Sequence, residues 1–128
     1  LLAQRIHTTI AQTAGHPELG AYATALRDAL QQVEAATQAA WATGNPSDAL
    51  ANAVPYMQAF GHLVLAWIWL DVARVVQASD AAKSIAASVG RMGATRYFYH
   101  YELPKIGAWL AVVSQRDLTC SALPEEAF

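Results

Sequence analysis

Charge is scarce in this chain: eight Lys and Arg against ten Asp and Glu make up 14% of 128 residues and leave a formal net charge of −2, where soluble domains average about 25% charged. The basic residues stand singly, so no patch or stripe can follow a phosphate backbone, and nucleic acid is set aside as a partner. Cysteine is reduced to Cys120, which by itself makes neither an internal disulfide nor a zinc site and points to a reducing, cytoplasmic setting. Long apolar runs are also missing. The longest uncharged one, Leu63 to Leu70, bracketed by His62 and Asp71, is well short of the about 20 residues that span a membrane, so no membrane span is read. There is no Gly-rich phosphate loop, no His-Glu-x-x-His and no carboxylate pair on one helix face. His7, His16, His62 and His100 lack a His or carboxylate partner at helical metal-ligand spacing. No catalytic, cofactor-binding or metal-binding residue is assigned.

What the chain has is helix-forming apolar surface. Its hydrophobic fraction is 55%, much of it alanine, which favours helix and close packing while adding little burial per residue. The stretch Asn52 to Leu70 is apolar almost all round. At 3.6 residues per turn one stripe runs Leu50, Val54, Met57, Gly61, Val64, Leu65, Ile68, Val72, Val75, and an opposed one runs Ala53, Tyr56, Phe60, Leu63, Trp67, Leu70. Such a helix is either central to a bundle or covers a second surface as well.

The pattern predicts a first helix from Leu1 to Ala14, stopping before Gly15-His16-Pro17, and a second from Glu18 to Thr43, with Leu19, Tyr22, Leu26, Ala29, Val33, Ala36 and Ala40 on one face and Gly44 at its end. Ser47 and Asp48 are expected to cap a third, long helix reaching Ala78, kinked between Ala51 and Pro55. Ser79-Asp80 would cap a fourth from Ala81 to Tyr101 carrying Ala82, Ile85, Val89, Met92, Arg96 and Tyr99. Gly90 and Gly93 on that helix suggest a close neighbour. Pro104 would open a fifth helix ending near Gln115, with a loose tail from Thr119 to Phe128. No strand alternation or repeat is present. The expectation is one all-α domain over residues 1–128, an up-and-down bundle of four to five helices with a long, largely buried central helix. The opening Leu-Leu-Ala-Gln-Arg, already in helical register, reads as part of a longer chain.

One dense polar–aromatic cluster runs from Arg96 to Glu102 beside Lys105 and could grip an anion or a flat ring; packing aromatics, with Arg96 paired to an acid such as Asp71, is the plainer reading. Trp67 and Trp69 point roughly 200° apart on a helix and cannot share a pocket. The candidate ligand or interface contacts are therefore His62, Trp69, Arg96 and His100. An internal ligand pocket would need polar groups inside, for which only His62 and Asn52 are available.

Asn52-Ala53, Tyr56-Met57, Phe60-Gly61, Ala66-Trp67-Ile68-Trp69-Leu70, Arg96-Tyr97-Phe98 and Leu103-Pro104 together resemble the C-terminal helical domain of acyl-CoA dehydrogenases of the branch that includes 3-methylmercaptopropionyl-CoA dehydrogenases. Pro55 departs from that pattern. The resemblance implies a parent enzyme that uses FAD to remove two hydrogens from the α and β carbons of an acyl-CoA thioester. FAD and the glutamate base would belong to the remainder of the parent chain, and no residue here is matched to them. This piece would support assembly and substrate access in a homo-oligomer. The competing reading is a stand-alone helical module that dimerises through the Trp69 face and performs no catalysis.

Overall fold

The computed structural model describes residues 1–79 and 85–128. The cap expected at Asp80 and the helix start at Ala81, with Ala82, lie outside the described residues. Every regular element among those described is helical: α1 (Leu2–Thr13), α2 (Gly20–Ala40), α3 (Pro46–Leu50), α4 (Ala53–Ala78), α5 (Ile85–Tyr97), a π-helical turn (Phe98–Glu102), a 3-10 turn (Leu103–Lys105), α6 (Ile106–Gln115), α7 (Thr119–Ala122) and a final 3-10 turn (Glu125–Ala127).

Helix α2 shows its core face in sequence, with Leu19 just ahead of it and Leu26, Ala29, Val33, Ala36 and Ala40 all buried. It packs on α1, α4 and α6, while α6 also closes against α4 and α5 leans on α4. Helix α1 contributes Ile6 and Ile10 to this core, and α6 contributes Ile106, Leu110 and Val113. Before α2, His16 Nδ1 accepts from the backbone N–H groups of Glu18 and Leu19 at 3.1 and 3.3 Å. Gly20 then starts the helix where a Cβ would stand 2.9 Å from the Ala14 carbonyl oxygen, so the link between α1 and α2 closes only with glycine there.

The long third helix of the sequence reading is two helices. Its cap is Asn45 rather than Ser47 or Asp48: the Asn45 side chain accepts from Ser47 N at 3.0 Å, and Pro46 occupies the first helical position, where its missing N–H costs nothing. Asp48 instead accepts from the Thr43 hydroxyl at 3.1 Å. Gly44, at φ 69°, makes the left-handed turn that follows α2. The break falls at Ala51-Asn52, which leaves Pro55 in the first turn of α4, where helical N–H groups have no intrahelical partner. Asn52 ties this break to the far end of the chain, donating from Nδ2 to the Asp117 carbonyl at 2.8 Å. Nearby, Arg116, itself left-handed at φ 51°, donates from Nη1 to the Ala39 carbonyl at 3.0 Å and satisfies a carbonyl at the end of α2.

Helix α4 is buried along one stripe only: Ala59, Leu63, Ala66, Leu70 and Ala73, alternating four and three residues apart. The three alanines let neighbouring backbones approach closely between the leucines. Tyr56, Phe60 and Trp67 border this stripe and are half-buried. The expectation of a largely buried central helix thus holds for one face, and the opposite stripe through Val54, Met57, Leu65, Ile68 and Val75 is exposed. At 26 residues, with a most apolar window whose mean hydropathy is 1.5 and of which 28% is buried, α4 is long and apolar enough by composition to cross a membrane. The uninterrupted run from Leu63 to Leu70 understated it. Its buried stripe also belongs to the core of the bundle.

The close neighbour expected at Gly90 and Gly93 is not found: a Cβ at either would meet nothing within 4 Å among the described residues.

Candidate functional site

Pro104 shapes the corner between α5 and α6. It has no N–H to donate, and its ring crowds the carbonyl four residues earlier. The backbone answers with a wider turn in which Leu103 N–H reaches back five residues to the Phe98 carbonyl. Such π-helical turns are energetically unfavoured and concentrate at functional sites. This one buries two consecutive aromatics, Phe98 and Tyr99, and leaves His100 and Tyr101 outside. Tyr97 and Tyr101 stack on its outer surface with ring centroids 4.9 Å apart. The Tyr99 hydroxyl donates to the Ala66 carbonyl at 2.8 Å, and its ring lies 4.8 Å from Tyr22. Burial first, and Tyr22 second, hold the Tyr99 phenol above the ordinary tyrosine range.

The same turn places Glu102 beside α4. Glu102 Oε2 lies 3.3 Å from His62 Nε2, and Lys105 Nζ donates to both carboxylate oxygens at 2.9 Å. Hydrogen bonds from Lys105 and then His62 lower the carboxyl pKa of Glu102. His62 Nδ1 in turn stands 3.0 Å from the Gln58 carbonyl. Which of the two ring nitrogens donates depends on the tautomer. The ring is walled by Trp109, edge-on at 4.8 Å, and by Phe98 at 5.7 Å. The result is a partly exposed hydrogen-bonded clamp joining α4 to the α5–α6 corner through Glu102. No group of three or more His, Cys, Asp and Glu among the described residues is placed to hold a metal ion.

Of the candidates read from sequence, only His62 joins this cluster. Trp69 is half-buried against the core, and its carbonyl accepts from the Thr95 hydroxyl at 3.4 Å. Trp67 turns the other way, donating from Nε1 to Thr9 Oγ1 on α1 at 2.9 Å. Arg96 is exposed beside a shallow hollow shared with Met92, Gly93 and Val76, and it does not pair with Asp71. Arg74, three residues along α4, takes that carboxylate at 2.8 Å. His100 is exposed and makes no hydrogen bond among the described residues. Trp109 carried no signal in the sequence beyond its apolar character.

A second concave feature is an open groove of about 610 Å3 between α1, α2 and α4. Ile6, Leu30, Val33, Phe60 and Leu63 make its floor, with Glu34 and Gln38 also lining it. The hydroxyls of Thr37 and Tyr56 meet there at 3.0 Å. Neither His62 nor Asn52 contributes to it, contrary to where polar groups for an internal pocket were sought.

A family model described as acetyl-CoA dehydrogenase C-terminal like matches residues 2–124. No curated protein and no solved structure matches the chain. With a match over nearly its whole length and an all-helical fold, the chain belongs to the acetyl-CoA dehydrogenase C-terminal-like family.

Proposed function

We propose that this chain is the C-terminal helical appendage of a flavin-dependent acyl-CoA dehydrogenase of the branch that includes the 3-methylmercaptopropionyl-CoA dehydrogenases. Packed against the catalytic body of a cytoplasmic homo-oligomer, it supports assembly and shapes access to the acyl-CoA channel. The family match over residues 2–124 is the observation that carries this reading. The low charge supports it, because a surface with so few charged residues suits cover by another body. On this reading neither nucleic acid nor a membrane span has a part.

The parent reaction would be α,β-dehydrogenation of an acyl-CoA thioester, for which bound FAD supplies the electron acceptor. The described residues do not fit that cofactor. The larger groove is floored by aliphatic and aromatic side chains, and the polar cluster offers one imidazole, one carboxylate and one ammonium already bound to each other. No step through the flavin is derived from this chain.

The test is to express the uninterrupted parent open reading frame, record its visible spectrum and titrate it anaerobically with a panel of acyl-CoAs. Bound flavin bleached by an acyl-CoA supports the reading and identifies the substrate class. A colourless protein, or an unrelated upstream region, leaves a helical dimerisation module without catalysis as the better account. The exposed face of α4 is the observation that favours that alternative.

A further inference from the structure

We propose that the outer face of α4 receives a second copy of this chain, the two α4 helices packing antiparallel about a twofold axis that passes between Val64 and Leu65. The inference rests on the stripe itself and is independent of the dehydrogenase reading.

The stripe maps onto itself under that axis. Val54 falls opposite the second copy's Val75, Met57 opposite Val72, Gly61 opposite Ile68, and Val64 opposite Leu65, so that no member of the stripe within α4 faces a polar residue. This is the self-complementarity that a twofold interface requires, since one patch must serve as both halves. Bulk is matched as well. Gly61 sits in a helix interior, where glycine is unfavourable, and a Cβ there would meet nothing within 4 Å among the described residues, which give no packing reason for it. Ile68 of the other copy would fill that gap. Two shallow hollows flank the stripe, one lined by Ala53, Val54, Met57 and Gln58, the other by Asp71, Val72, Val75 and Val76 with Arg91. Each α4 residue of the first falls opposite an α4 residue of the second, which sets the Gln58 amide donor against the Asp71 carboxylate.

The surface is large enough. Val54 is 70% exposed, Met57 60%, and Leu65, Ile68 and Val75 45% each. Covering these and their neighbours would remove on the order of 500 Å2 per copy, about 1,000 Å2 in all, which reaches the lower bound of a specific interface. A lipid surface fits less well. Helices that lie on membranes carry several Lys and Arg along the polar border, whereas α4 itself carries a single basic residue, Arg74, which pairs with Asp71.

Equilibrium sedimentation of the 128-residue chain at micromolar concentration, with cysteine cross-linking, tests the proposal. The native chain should sediment at twice its monomer mass. Leu65→Glu should halve that mass with the helical circular dichroism retained, while Ile85→Glu, an exposed change off the stripe, should leave the dimer intact. In a Cys120→Ser background, Val54→Cys with Val75→Cys should cross-link between copies under copper–phenanthroline and air. Val54→Cys alone should not, because its two copies would stand about 30 Å apart. These pairs keep every other stripe residue and decide the matter if Leu65→Glu fails to fold. A monomeric native chain overturns the proposal, whether or not it binds phosphatidylcholine–phosphatidylglycerol vesicles or the parent's catalytic body. So does a dimer that survives Leu65→Glu, or one in which Val54→Cys alone cross-links.

Discussion

The phenol of Tyr99 hangs the π-helical turn on the middle of α4 through its 2.8 Å bond to the Ala66 carbonyl. Tyr99→Phe keeps the ring against Tyr22 and removes only the donor. A loss of about 1 kcal/mol is expected, typical of one buried neutral hydrogen bond, read as a lower urea midpoint at unchanged slope. The raised phenol pKa gives the pH sense. Above about 10, the ordinary tyrosine value, the unfolded chain releases a proton that the folded one keeps, so this group's stability is full below that pH and falls as pH rises. The alkaline loss should be smaller in Tyr99→Phe.

The Glu102 carboxylate is held below its ordinary range, so the folded chain binds its proton more weakly than the unfolded one. Stability from this group is therefore present above the unfolded carboxyl value and lost as pH falls through the folded one. Glu102→Gln should lower the melting temperature at neutral pH, and the gap to the native chain should close in acid. A melting series across pH 3 to 7, about the range in which glutamates titrate, checks this; a gap that is constant with pH contradicts it.

Two glycine substitutions should move stability in opposite directions. Gly20→Ala drives a Cβ into the Ala14 carbonyl and is expected to cost about 1–3 kcal/mol. Gly90→Ala meets open space among the described residues and should stabilise the fold by about 0.5–1 kcal/mol. Paired chemical denaturation curves decide both.

Leu63 is buried against the bundle on the alanine–leucine seam of α4. Leu63→Ala is expected to cost about 2–5 kcal/mol through lost burial and the cavity left behind. A change below 1 kcal/mol by urea denaturation, roughly one CH2 group's worth, would mean the seam collapses onto the gap.

The core face of α2 was legible because its apolar residues recur near every 3.5 positions and the rest of that helix is polar or alanine. Helix α4 was harder for the opposite reason: with apolar residues on two faces, periodicity finds both stripes but does not say which one the bundle takes. Alanines 59, 66 and 73 settle that, and their importance lies in close backbone approach, which a hydrophobicity pattern undervalues. Pro55 signalled a disturbance between Ala51 and Pro55, and the break falls at the start of that range because proline is tolerated where helical N–H groups are already free. At the site, His62 was recognisable as a polar residue on an apolar helix, and Glu102 and Lys105 as part of a polar–aromatic cluster. Their meeting depends on a five-residue backbone reach at Phe98 that no side-chain pattern encodes. Arg96 lost Asp71 to Arg74, which stands on the same helix one turn away.

The wide turn at Phe98–Glu102 also acts as a phase setting between α5 and α6. One residue more or fewer there would rotate all that follows by about 100°. Ile106, Leu110 and Val113 would leave the core together, and Lys105, Trp109 and Val112, or Gly107, Ala111 and Ser114, would stand in their places. The length of this short segment is therefore constrained more tightly than its composition: a single side-chain exchange in it lowers stability, whereas a change in its residue count unseats α6 from the bundle.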